Sequence, residues 1–389
     1  MTASRLQGIP PTIFTTMSAL AARTGAVNLG QGFPDVDGPS EVVAEAVAAL
    51  RGGANQYAPG PGVPALRQAV AEHQQRHYGL GWDPDTEVVV ATGATEAIAA
   101  AVLGLVDPGD EVVVLEPYYD SYVAMLQMAG AVRRPVTLRP PAFRLDLDEL
   151  RAAVTPRTRF VLLNSPHNPT GTVLSREELT AVADLAVEHD LTVITDEVYE
   201  HLTYGVEHVP IATLPGMAER TLTISSIGKS YSFTGWKVGW ATGPAHLVGA
   251  LMSAKQWLTF TSGAPLQPAA AFALTSAGDY PGQLAESLHQ RRDLLLAGLA
   301  DAGLPARTPD GTYFAVSDIT HLGWDDATAF CLALPERAGV VGIPVQGFYA
   351  DHPDAGRQLV RWTFCKRPEV LGEAVDRLAA ADLRASAAG

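Results

Sequence analysis

Residues 221–240 read TLTISSIGKSYSFTGWKVGW. The first six, TLTISS, form a β-rich run. Small and hydroxylated residues follow around Lys229, and a second lysine, Lys237, sits in a Gly-Trp-Lys-Val-Gly frame. A desolvated lysine is the side chain that can hold an aldehyde as a Schiff base, because burial lowers its pKa and frees the amine. Ser226 lies three residues before Lys229 and Lys237 eight after it, both of types that grip a phosphate. A lysine able to hold an aldehyde, beside a phosphate grip, points to pyridoxal 5′-phosphate. Taken alone, Lys229 reads more simply as an exposed loop lysine, as most lysines are. The rest of the chain has to decide between the two.

On either side of this stretch, short apolar runs recur at 87–91, 111–115, 159–164, 192–195, 221–225 and 238–242, with helical patterns such as 95–106 and 176–189 between several of them. Near-continuous apolar runs are strands covered on both faces. Their alternation with helices predicts an α/β layer with a mainly parallel sheet. Such sheets take ligands beyond the carboxyl ends of their strands. The chemically loaded residues fall there: Gly93-Ala94-Thr95, Tyr118-Tyr119, Asn168, Asp196, Ser226 and Lys229. Beyond about residue 277 the pattern changes to an amphipathic run at 284–302, strand-like pieces at 312–317, 339–343 and 359–364, and a terminal helix. The expected organisation is an arm over 1–39 that packs on the C-terminal unit, a large α/β unit over 40–277, and a smaller α+β unit over 278–389.

Composition narrows the function classes. A chain of 389 residues can bury one large core and a second unit. A net charge of −15 argues against a nucleic-acid partner, which needs a basic face. The longest apolar run, at 98–106, is too short to span a membrane. The N-terminal MTASRLQGIPPTIF lacks the pattern of a secretory leader. The two cysteines, Cys331 and Cys365, form no Cys-x-x-Cys pair, which predicts neither a disulfide framework nor a zinc site. A reducing, cytoplasmic setting without a bound metal is the expectation.

Several single residues carry two readings each. Asp196 ends the run LTVITDE; it either caps the next helix or pairs with the pyridine nitrogen of the cofactor and keeps that ring protonated as an electron sink. Tyr199 is either an ordinary half-buried tyrosine or a donor to the cofactor's 3′-oxygen. The segment NSPHNPTG at 164–171 is a turn by composition, and the same turn can aim the Asn168 amide at that oxygen. His167 beside it is expected to face solvent and is given no role. TGATEA at 92–97 opens a helix, whose first N–H groups suit a phosphate. Tyr119, in EPYYDSY at 116–122, either stacks on a cofactor ring or packs in the core. Arg361, in LVRWTFCKR at 359–367, lies by strand alternation on the face opposite Trp362. Its guanidinium fork matches a carboxylate; otherwise it is an edge-strand surface arginine, with Arg357 and Arg367 as rivals.

Together these segments resemble the fold-type I, class I/II aminotransferases, the aspartate aminotransferase-like superfamily. The similarity runs from NLGQGFPD at 28–35 to RWTFCK at 361–366. NLGQGFPD, QYAPGPG, EPYYDSY, DEVYEHL, PGMAERTLTISS and GWKVGW are most similar to the kynurenine, glutamine and methionine aminotransferase subgroup. FCLALPERAGVVGIP at 330–344 is more similar to actinobacterial enzymes assigned as N-succinyldiaminopimelate aminotransferases. The resemblance implies that Lys229 is the Schiff-base lysine and proton shuttle and that Asp196 is the pyridinium partner. It implies that Asn168 and Tyr199 hold the 3′-oxygen, and that Ser226, Lys237 and the Gly93-Ala94-Thr95 amides hold the phosphate. Tyr119 would stack on the ring, and Arg361, helped by the Gly32 backbone, would take the substrate α-carboxylate. Tyr57 would reach the phosphate of a neighbouring subunit, which implies a homodimer with shared sites. The side-chain pocket would use Phe14, Tyr119 and Tyr122, with Phe260 and Thr261 from the partner, and no second arginine for a distal carboxylate.

Two departures stand out. Lys237 occupies a position where many members carry arginine, and Phe260-Thr261 stands where the subgroup has histidine after phenylalanine. The implied activity is ping-pong transfer of an α-amino group from an L-amino acid to a 2-oxo acid, with 2-oxoglutarate the expected acceptor and N-succinyl-diaminopimelate a candidate donor. The alternatives are a kynurenine-, glutamine- or methionine-type aminotransferase and a cysteine-conjugate β-lyase. A non-catalytic sensor would need a DNA-binding module, for which a pattern starting at Asn28 leaves no room.

Overall fold

Strand β1 (Val27–Asn28) lies in the arm, and the next seven strands build one sheet: β2 (Val88–Ala91), β3 (Glu111–Glu116), β4 (Val132–Thr137), β5 (Thr158–Asn164), β6 (Thr192–Asp196), β7 (Thr221–Ser226) and β8 (Gly239–Thr242). The computed structural model describes residues 3–9 and 12–385; Met1, Thr2, Pro10, Pro11 and residues 386–389, which fall in the expected first and third segments, lie outside the described residues. The sheet order is β2-β8-β7-β6-β5-β3-β4. β8 runs antiparallel to both β2 and β7, and every other pair is parallel. The sheet is therefore mixed, and parallel through its centre.

The absence of alternation in these strands follows from cover on both sides. All residues of β2, β3, β7 and β8 are buried. Val112, Val114, Leu162, Ile194 and Ile224 pack with helices Gly93–Leu105 and Ala245–Leu258. Val113, Leu115, Val161, Leu163 and Val193 point into the opposite core. Each such side chain contributes roughly 1.5–3 kcal/mol by leaving water. Helix Arg176–Glu188 starts where a capping box places it: Ser175 accepts from the Glu178 N–H, and the Glu178 side chain accepts from the Ser175 N–H at 2.7 Å.

A second sheet follows, of β9 (Phe314–Asp318), β11 (Ile343–Pro344) and β12 (Leu359–Thr363), antiparallel in the order β11-β12-β9; β10 (Val340–Val341) instead pairs in parallel with β1 of the arm. Helices Tyr280–Asp301 and Pro368–Ala380 pack on each other nearby. Several boundaries differ from the pattern in sequence. The run 238–242 begins at Gly239 because Lys237, at φ 55°, breaks the extended backbone before it. The run 312–317 begins at Phe314 because Thr312 has φ 64°. The run 339–343 divides at Gly342 into two short strands that pair with different partners.

Candidate active site

Strand direction brings the site together. β5, β6 and β7 are parallel, so Asn164, Asp196 and Ser226 end at one edge of the sheet, with Asn164 opposite Asp196. β8 runs the other way and places Gly239 opposite Ser226, which carries Lys237 to the same edge. Ala91 of β2 also pairs with Gly239, so Gly93-Ala94-Thr95 arrive there too. These ends open into a cavity of about 1230 Å³, lined among others by Phe14, Gly32, Tyr119, Asn168, Tyr199 and Arg361.

Lys229 sits in the short helix Ile227–Ser230, directly after β7. Its ammonium lies 5.7 Å from the ring centres of both Tyr199 and Tyr313. Burial lowers its pKa to about 8, against the nearby Asp196 carboxylate, which favours the charged form. Asp196 is buried, and desolvation pushes its carboxyl up to about 6. Its partners are the Tyr122 hydroxyl, which donates at 2.6 Å, and the Val198 N–H, at 3.3 Å. A buried carboxylate whose direct partners are neutral suits a cationic ring nitrogen.

The groups expected to grip a phosphate share one space. A Cβ added at Gly93 would fall 3.2 Å from Lys237 Nζ, so the lysine head lies against the start of helix Gly93–Leu105. A Cβ at Gly239 would fall 2.7 Å from the Ala94 nitrogen. Only glycine lets this strand approach the helix N-terminus, where N–H groups and the helix dipole favour an anion. Ser226, at the end of β7, borders the same hollow. This cradle, the buried acid and the desolvated lysine fit pyridoxal phosphate.

Arg361 on β12 is fully buried. Nη1 donates to Asn168 Oδ1 at 2.8 Å and Nη2 to the Gly30 carbonyl at 2.7 Å, while Nε is buried without a partner. Phe314 lies 3.9 Å from the guanidinium, Phe14 5.0 Å and Phe348 5.5 Å. Burial lowers its pKa to about 10, so it keeps its charge near neutrality. No carboxylate of the described residues pairs with it, which leaves the charge to an incoming one. Gly32 helps by size: a Cβ there would meet the Phe314 ring at 2.4 Å, and its carbonyl accepts from the Tyr313 hydroxyl at 2.6 Å.

The other expectations divide. The rivals Arg357 and Arg367 are exposed and engaged at the surface, with the Asp325 carbonyl and with Asp35. Tyr119 lines the cavity and meets Tyr122 edge to face at 5.7 Å. Tyr57 and Phe260 do not line it; they meet each other at 5.2 Å on the surface, 83% and 56% exposed. His167 is a correction: it is buried rather than solvent-facing, because its turn folds inward, and Nδ1 pairs with Thr170 Oγ1 at 2.7 Å. Burial lowers its pKa to about 4, so the ring is neutral. On the far wall Arg133 lines the cavity, but Asp351 already holds its guanidinium in a fork, so it is not a free second arginine for a distal carboxylate. Asn164 escaped notice in the sequence: its Nδ2 donates to the Asp196 carbonyl and its Oδ1 accepts from the Asn168 N–H, both at 2.8 Å.

The family model for aminotransferase class I and II matches residues 24–378. The chain belongs to the class I and II aminotransferases. Members of this family depend on pyridoxal phosphate, and the chain is a pyridoxal 5′-phosphate-dependent transaminase that passes amino groups to 2-oxo acids. The aminotransferase is 54% identical over 388 residues to the Mycobacterium tuberculosis protein named "Probable N-succinyldiaminopimelate aminotransferase DapC", covering 97% of this chain and 98% of that one. The solved structure of the N-succinyldiaminopimelate aminotransferase from that organism matches with a TM-score of 0.94 over 97% of this chain and 99% of its own. The Escherichia coli methionine aminotransferase is 39% identical, covering 96% of this chain and 97% of its own. The aspartate aminotransferase of Thermus thermophilus with maleate matches at a TM-score of 0.90 and 36% identity, over 97% of this chain and 99% of its own. The aminotransferase thus has the aspartate aminotransferase-like α/β fold that its motifs imply.

Proposed function

We propose that this aminotransferase takes N-succinyl-diaminopimelate as amino donor and 2-oxoglutarate as acceptor. The observation that carries the reading is the 54% identity, over nearly the whole chain, to the M. tuberculosis protein of that name. The cavity supports it. Its lining includes Phe14 and Phe348 beside Arg361 and, among polar groups, Gln346, whose amide suits a distal carboxylate or amide. The kynurenine–oxoglutarate transaminases among the relatives support the acceptor.

In this reading the Arg361 fork binds the donor's α-carboxylate, and the donor's side chain runs along the aromatic wall. When bound, pyridoxal phosphate supplies an aldehyde to receive the amino group and a ring to take up electrons. Lys229 Nζ moves the proton released at the donor's α-carbon, a task for an amine whose pKa lies near the working pH. Asp196 holds the ring nitrogen's proton, and Tyr122 and Asn164 hold Asp196 in place. Asn168, with Oδ1 engaged by Arg361, keeps its Nδ2 to donate, and Tyr199 offers a hydroxyl on the same side. Ser226, Lys237 and the amides of Gly93, Ala94 and Thr95 hold the phosphate, while Tyr119 covers the ring.

The functional unit is a cytoplasmic homodimer, with the cofactor-binding unit at 40–277, the smaller unit at 278–389 and the arm at 1–39. Among the described residues no helix is long and apolar enough to cross a membrane. A panel of donors assayed with 2-oxoglutarate tests the substrate. N-succinyl-diaminopimelate should give the highest kcat/KM, ahead of methionine, glutamine and kynurenine. A higher value for any of those three rejects the assignment.

A further inference from the structure

Helix Pro64–Tyr78 carries two histidines, His73 and His77, one turn apart and thus on one face. The loop after β6 brings His201 against them. The three ring centres lie 4.5, 4.9 and 5.0 Å apart. One nitrogen from each ring falls within 4.8 Å of the others, and the Nε2 atoms of His73 and His201 are 2.8 Å apart. None of the three lines the cofactor cavity. Read as hydrogen bonding alone, the cluster is underfilled: one contact joins two rings, and His73 Nδ1 is buried with no partner.

We propose that His73, His77 and His201 form a binding site for a zinc-class divalent transition-metal ion. Tetrahedral zinc with imidazole ligands about 2.0–2.1 Å away sets its ligand nitrogens about 3.3–3.4 Å apart. That spacing lies between the 2.8 Å contact and the 4.8 Å outer limit found here. Imidazole donors select zinc, copper, nickel or cobalt over magnesium and calcium. His77 is exposed, so water can fill a fourth position. Glu200 supplies a buried negative charge beside His201. Its oxygens accept from the Tyr78 hydroxyl at 2.7 Å and from Ser225 Oγ at 2.5 Å, which keeps the carboxylate outside the ligand set, where it balances the ion's charge. The absence of a Cys-x-x-Cys pair bears on thiolate sites and leaves this one open. The ion ties the end of helix Pro64–Tyr78 to the loop that carries Tyr199.

The test titrates the pyridoxal-phosphate-loaded chain, stripped with a chelator and dialysed, with Zn²⁺ by calorimetry and with Co²⁺ by visible absorption. One Zn²⁺ per chain is expected, with Co²⁺ bands of tetrahedral intensity. His77→Ala, made at an exposed position, should fold and bind about 100-fold more weakly or worse, since loss of an outer-shell partner alone costs 10–100-fold. His201→Ala should behave likewise, and His189→Ala, at an exposed histidine elsewhere, should leave binding unchanged. Zn²⁺ should raise the Tm of the parent and not of His77→Ala. No stoichiometric uptake by the parent, or equal uptake by folded His77→Ala, overturns the proposal.

Discussion

Lys229 and Asp196 are both buried and act on each other electrostatically, and their shifts have opposite signs. Lys229 is lowered to about 8, so its neutral amine becomes the major form above that pH. The rate at which the apo chain captures pyridoxal phosphate should rise with pH and level off above about 8, where an ordinary lysine would keep gaining toward its usual pKa near 10.4. Stopped-flow absorbance measures this, and a rate still climbing steeply at pH 9 argues against a desolvated nucleophile. Borohydride reduction should then leave the pyridoxyl group on the Lys229 peptide; labelling of another lysine would reject the assignment. Asp196 is raised to about 6. The folded apo chain therefore binds this proton more tightly than the unfolded chain. The associated stability is complete below the unfolded value and is lost as pH climbs through about 6. Asp196→Asn should flatten the fall of Tm between pH 4 and pH 6 in the apo chain and reduce kcat by roughly 10²–10³-fold, the scale for removing an aligned electrostatic partner. Turnover within a few-fold of the parent would leave Asp196 a structural role, accepting from the Tyr122 hydroxyl and the Val198 N–H.

At the scale of elements, the proposed phosphate cradle depends on β8 lying against the start of helix Gly93–Leu105. Gly239→Ala puts a Cβ 2.7 Å from the Ala94 nitrogen and 2.8 Å from the Gly93 carbonyl carbon, backbone atoms that cannot swing aside. Cofactor dissociation should rise about ten-fold or more, the equivalent of one lost charge-assisted hydrogen bond. Gly235→Ala, with no atom within 4 Å of the added Cβ, is the control and should be neutral. Equal losses in both variants would mean that the cradle is not where the phosphate sits. The elements themselves were legible in the sequence because apolar runs of valine, leucine and phenylalanine mark β2, β3 and β5, and β-branched or aromatic residues mark β6 to β8. Their ends were less so: Lys237 and Thr312 adopt positive φ, which their residue types do not announce. Nor did the sequence reveal Asn164 as a brace for Asp196, a role created by the register between β5 and β6. His167 misled for the same reason, since burial depends on what folds over a turn. Lys229, Asp196, Asn168 and Arg361 could be found because each follows or lies on a strand whose end faces the cavity.

At the scale of the whole molecule, several large aromatic rings stand exposed, two of them packed together. Tyr57 is 83% exposed, Trp257 82% and Phe260 56%. Exposed rings of this size mark surfaces that bind other proteins. Tyr57 and Phe260 pack against each other and outside their own chain's cavity, with Thr261 Oγ1 held 3.3 Å from the Pro59 carbonyl of the same loop. If this face joins two copies of the chain, Tyr57 can reach the partner's phosphate, and each site then draws on two chains. A symmetric pair makes that arrangement reciprocal. Each site would need its own Lys229 and the other chain's Tyr57. Lys229→Ala removes the first and Tyr57→Ala weakens the second, so each variant homodimer should be nearly inactive. In a hybrid, the chain that keeps Lys229 faces a partner that keeps Tyr57, so one of its two sites is whole. Random mixing makes about half the dimers hybrid, so close to a quarter of parental activity should return on mixing, given one intact site per hybrid. Refolding the two variants together, with sedimentation to confirm dimers, measures this. No recovery in a preparation that contains hybrid dimers, or full activity from a monomer, would show that each site is complete within one chain.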